Sequence, residues 1–112
     1  MKNDLEEMLK LIEENLIFDD QKYPELRGAT EKQRFVFAVR HCSLHFAKRA
    51  GKITAVAEDA DHGNDINLGE LRENVPKAIV DALRLAQLID MSWDDISTRI
   101  RNLYRNDNSI AK

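Results

Sequence analysis

The stretch "TEKQRFVFAVRHCSLHFAKRAGKITAVAEDA" (Thr30–Ala60) decides the fold. Its apolar residues Phe35, Val39, Cys42, Phe46, Ala50, Ile53 and Ala57 recur at spacings of three and four. That is the period of one helix face, not the alternation of a strand. Thr30 and Gln33 stand in the Thr-x-x-Gln order of a capping box, which fixes where the helix starts. At about 1.5 Å per residue it would be roughly 46 Å long. A helix that outruns a small domain is expected to bend, to break near Gly51, or to project into a partner.

Three further segments carry the same period. Residues 1–17 place Leu5, Met8, Leu9, Ile12 and Leu16 on one stripe behind a possible cap at Asn3. Pro24 and Gly28 mark residues 18–29 as a loop, and "DHGNDINLGE" (Asp61–Glu70) reads as a second, with Asn67 and Glu70 as a plausible cap pair. Pro76 suits a first helical turn and not an interior, so the third helix is expected over 74–89. Ser92 and Asp95 cap a fourth over 92–105, and the polar tail 106–112 is expected to fray. The expectation is a single all-α domain over residues 1–112, a bundle of four main helices.

A chain of 112 residues with 43% hydrophobic and 33% charged residues has the composition of a globular domain. Its formal net charge of −3 gives no general attraction to nucleic acid or to an anionic membrane. A single cysteine, Cys42, cannot form an internal disulfide, and no apolar run reaches the length of a membrane span. Residues 1–17 mix acidic and apolar residues, unlike a signal peptide. A cytoplasmic location is the natural expectation.

From Lys77 the chain reads "KAIVDALRLAQLIDMSWDDI". This resembles the third-helix signature of the all-α nucleoside triphosphate pyrophosphohydrolases, the MazG-like superfamily. There a helix ends in "LRLA" before a short turn and the last helix. Leu83-Arg84-Leu85-Ala86 and the run from Met91 to Ile96 take those places. The stretch "HFAKRAGKITAV" (His45–Val56) is similar to the companion motif of the preceding helix, and the two blocks cover about a third of the chain. The resemblance implies a MazG-like bundle that forms a homodimer or higher oligomer.

It also implies a metal site that this chain does not keep. The family holds Mg²⁺ against a triphosphate with EExxE on one helix and ExxD on the next. Hard Mg²⁺ needs such oxygen ligands. Here Lys48, Arg49 and Lys52 occupy the first motif, and Lys77 stands at the aspartate of the second. Glu73 alone keeps its acid. Cations cannot ligate Mg²⁺, so no metal, no cofactor and no catalytic residue is expected. An active pyrophosphohydrolase would need relocated ligands, for example Glu58 and Asp61.

The inverted pocket, His45, Arg49, Lys52, Glu73 and Lys77, could instead bind a nucleotide or other phosphate-containing ligand directly, with lysine and arginine supplying the charge. The same residues also read as a solvated flank, with Glu73, Lys77 and Asp81 forming an ordinary helical charge ladder. His41 and His45 have the spacing of helical metal ligands, but Cys42 points with the apolar stripe and no third ligand is anchored. Glu58, Asp59, Asp61 and His62 form an acidic helix end that reads as solvated. Residues 86–105 also resemble a DNA-binding helix-turn-helix, with Arg99, Arg101 and Arg105 on the second helix. Asp90 replaces the turn glycine and Asp94 and Asp95 would face phosphates, which opposes DNA.

Overall fold

The structure, a computed structural model, describes residues 4–110. It holds four α-helices: α1 (Asp4–Asn15), α2 (Glu31–Asp61), α3 (Leu68–Leu88) and α4 (Trp93–Ile110), with a short 3-10 turn at Pro24–Leu26 before α2. No strand occurs among the described residues, so the all-α expectation holds. The expected cap at Asn3 lies outside them.

Thr30 starts α2 as its spacing predicts. The Gln33 N–H donates to Thr30 Oγ1 at 3.1 Å, and the Thr30 N–H donates to Gln33 Oε1 at 2.9 Å. The helix then runs unbroken through Gly51, which removes the break from the three expected outcomes. A Cβ added at Gly51 would meet nothing within 4 Å, so no close approach explains the glycine. The turn after α2 is closed by Gly63 at φ 92°, a conformation that favours glycine.

α3 corrects the expected boundary. It begins at Leu68, where Asn67 Oδ1 accepts from the Glu70 N–H at 3.1 Å, and not near Asn74. Pro76 therefore sits in the helix interior and cannot donate to the Arg72 carbonyl, a cost of about 3 kcal/mol. The Asn67 cap and the packing of the first two turns on α2 offset it. At the other end Asp90 adopts φ 61°, and the Met91 N–H donates back to the Ala86 carbonyl at 2.9 Å. This is a left-handed cap of the kind glycine usually fills. Ser92 and Asp95 then exchange side-chain hydrogen bonds at 3.0 and 3.1 Å and start α4, which continues past Arg105 to Ile110.

The packed body is an antiparallel hairpin of α2 and α3 with α1 laid on one side. Ala38, Cys42 and Val56 of α2 and Asn74 of α3 are buried. Ile12 is buried on α1, which is tied down when Gln87 Nε2 donates to the Leu9 carbonyl (2.6 Å) and Arg84 Nε to that of Leu16 (3.0 Å). The loop after α1 folds back on the same side, where Phe18 and Tyr23 meet Phe37 and His41 of α2 at ring separations of 5.1 to 6.3 Å. α4 packs on no other helix beyond marginal contact.

The result is open. A compact protein of 12.9 kDa exposes about 6,300 Å² and, at 112 residues, has a radius of gyration of about 13 Å. This chain exposes 8586 Å² and has a radius of 17.6 Å. Because Gly51 lies in mid-helix with open space beside it, Gly51→Ala is expected to stabilise the protein by about 0.5–1 kcal/mol in denaturant unfolding. A destabilisation would mean that something must approach its backbone closely.

Candidate functional site

One groove lies where α2, α3 and the end of α1 meet. It encloses about 350 Å³ between Leu16, His45, Arg49, Lys77, Val80 and Asp81, with Pro76 also lining it. Antiparallel pairing of α2 with α3 sets this convergence, since residues equally far from the turn at 62–67 come opposite each other. Three of the predicted pocket residues, His45, Arg49 and Lys77, therefore line one space.

The other two stand beside it. Lys77 Nζ lies 2.8 Å from Glu73 Oε1. This hydrogen bond, and then the charge of Lys77, hold the Glu73 carboxyl below its usual range, with smaller contributions from Arg49 and Lys52. The charge ladder thus exists between Glu73 and Lys77. It does not extend to Asp81, which turns into the groove.

Asp81 is the residue that changes the character of the site. Its Oδ2 and the Nε of Arg49 are both buried without a hydrogen-bond partner. Burial pushes the Asp81 carboxyl up, and the charges of His45, Arg49 and His41 pull it only partly back. A groove holding one unsatisfied donor and one unsatisfied acceptor is polarised and not uniformly basic. Spacing alone gave a signal for Asp81, one turn beyond Lys77, but not for its burial.

Beside the groove, the His45 ring is tilted against that of His41 with centroids 4.5 Å apart, and the Tyr23 hydroxyl lies 3.4 Å from His41 Nε2. Desolvation, then the neighbouring His45, lower the His41 pKa. Burial likewise raises the Tyr23 hydroxyl and the Cys42 thiol. Tyr23 comes from a loop, and nothing in the sequence pattern connects it to His41. Among the described residues no group of three or more His, Cys, Asp or Glu side chains could hold a metal ion. Lys48, Arg49, Lys52 and Lys77 are a donor set that does not fit Mg²⁺. Glu58, Asp59, Asp61 and His62 do not gather into such a set either.

Elsewhere, Asp95 in the first turn of α4 is engaged with Ser92, and Asp94 lies next to it at the rim of a shallow cleft with Arg99. No described helix is long and apolar enough to cross a membrane. Comparison with known proteins finds no matching family, no similar curated protein and no similar solved structure.

The paired histidines set a pH dependence. A folded-state pKa below the ordinary 6.5 means the unfolded chain takes up its proton first. That group's contribution is then free of penalty above the unfolded value and falls as pH drops through it. The melting temperature should therefore decrease between about pH 7.5 and pH 5.5, and His41→Phe, which keeps a ring in the stack, should lessen the decrease. An unchanged pH profile in the variant would remove His41 as the cause.

Proposed function

We propose that this chain is a non-catalytic helical protein that works as a homo-oligomer, a divergent relative of the MazG-like hydrolases without their metal chemistry. One observation carries the oligomeric reading: the chain exposes over 2,000 Å² more surface than a compact protein of its mass, much of it apolar. Phe35, Val36, Phe46, Val75, Ile79 and Leu103 are among its exposed large side chains. Scattered apolar residues are ordinary on surfaces, but this many on so small a body leaves the core unfinished. The absence of hydrolysis is supported by the cations at the positions of the family carboxylates. Light scattering on the purified chain should return a multiple of 12.9 kDa at tens of micromolar. A strict monomer would contradict the oligomer, and release of pyrophosphate from a nucleotide with Mg²⁺ would contradict the lost chemistry.

The groove supports a second activity, direct binding of a nucleotide or another phosphate-containing ligand. Arg49 favours it, because its buried Nε lacks an acceptor while Lys77 lines the same groove and Lys52 stands beside it, near enough to act on Glu73. An anion could satisfy that donor with charge-assisted hydrogen bonds. Nucleotides or inorganic phosphate should then raise the melting temperature without Mg²⁺, and Arg49→Met should abolish the shift. No stabilisation by any of them would leave the groove a structural feature.

A further inference from the structure

One flank of the α2–α3 hairpin is almost without charge. At about 100° per residue, the residues of α2 that fall within roughly 120° on one side of the buried seam include Phe35, Val39, Phe46, Ala50, Ile53 and Ala57. The same sector holds Val36, Ser43, Ala47 and Thr54 and, from Phe35 to Ala57, nothing ionisable. On α3 the matching sector holds Leu68, Leu71, Val75, Ile79, Ala82, Ala86 and Ile89, with Ala78 and Leu85 nearer the seam. Its one charge is Arg72, on the outer edge beside Ile79. In a chain one-third charged, two such sectors side by side are not the composition of a solvated surface.

The two sectors form one face. In an antiparallel pair, the same rotation from the seam along each helix's own direction leads to the same side. The opposite side is occupied: α1 is bound there through Arg84 and Gln87, and the aromatic loop through Phe37 and His41. On the apolar side Phe35, Phe46, Val75 and Ile79 stand 41 to 53% exposed. α4 does not pack over them beyond marginal contact.

We propose that this face is the surface on which a second copy of the chain docks, hairpin against hairpin, to give a four-helix core with each α1 outside. The inference rests on the oligomeric reading above and specifies its interface. Two helices each about 10 Å across and about 30 Å long offer roughly 600 Å² of footprint per copy. Two copies then bury about 1,200 Å², the lower bound of a stable specific interface. An isologous contact needs one patch that suits itself, and a patch whose only charge, Arg72, stands at its edge, with large residues at Phe35, Phe46 and Ile79 and small ones at Ala47, Ala50 and Ala82, meets that need. The small residues let helices approach closely while the large ones fill the spaces between them.

The test uses the full chain and substitutions at sites that are exposed in the single chain, so that they remove no contact within it. Ala50→Arg and Ile79→Glu each place an unpaired charge in the proposed interface. Leu44→Glu is the control: Leu44 is 63% exposed but lies on the other side of α2. Sedimentation should show the two face variants weakened in association by at least about 100-fold, with the control matching the parent. Circular dichroism reports whether each variant keeps its helices. Loss of association with or without loss of helicity in the face variants alone supports the interface. Three variants that behave alike overturn it. If the parent is a monomer, the oligomeric reading fails as well. If the parent associates, the face variants associate equally, and truncation after Met91 breaks the assembly, α4 is the contact and this face is not.

Discussion

The seam between α2 and α3 is the constraint on which everything else depends. Small side chains at Ala38 and Cys42 let the two helices come close, and both are almost completely buried. Asn74, 2% exposed, is the polar member of the seam. Its Nδ2 donates to the Glu70 carbonyl at 2.8 Å and to Glu70 Oε2 at 3.0 Å, while its Oδ1 is buried without a partner. An unsatisfied buried acceptor costs about 1–3 kcal/mol, so the surrounding packing must exceed that. The seam also brings His45, Arg49, Lys77 and Asp81 to one groove. Had α3 started six residues later, Leu68 and Leu71 would be lost from the hairpin and the turn would have to span the gap.

The hairpin has two flanks and the sequence treats them differently. One carries Arg49, Lys52, Glu73, Lys77, Asp81 and Arg84, and it receives α1, the aromatic loop and the groove. The other is apolar but for Arg72 at its edge, and bare. A polar flank tolerates a half-open groove because its groups reach water or one another. An apolar flank gains free energy only by being covered, at roughly 25 cal/mol for each Å² of apolar surface removed from water. This division explains why the chain is too extended for its mass while its individual helices are well capped. The missing stabilisation is one more layer, not better local structure.

Much of the fold was legible in the residues. The cap at Thr30, the unbroken period over α2 and the Ser92–Asp95 start of α4 follow from local rules that tertiary context leaves alone. The error at α3 has a clear cause: Pro76 was read by its intrinsic preference, whereas Asn67 and the contact with α2 carry the helix past it. The apolar stripe of α2 predicts one helix face. In the structure Cys42 of that stripe is buried, but Phe35 and Phe46 are largely exposed, because periodicity marks a face that wants covering without saying what covers it. The candidate site was legible in part: helical spacing brings His45, Arg49 and Lys77 to facing flanks, while Lys52 and Glu73 stand beside the groove. Asp81's burial, the orphaned Arg49 Nε and the Tyr23–His41 contact were not, because they depend on where α1 and its loop come to rest.

The central claim is that the chain's core is completed by another copy of itself. If folding and association are one process, stability must depend on protein concentration by mass action. The most direct measurement is the urea midpoint of helix loss at protein concentrations spanning about a hundredfold. The account predicts a midpoint that rises steadily with concentration. A midpoint independent of concentration, in a chain that unfolds reversibly, would show a self-sufficient monomer and contradict it.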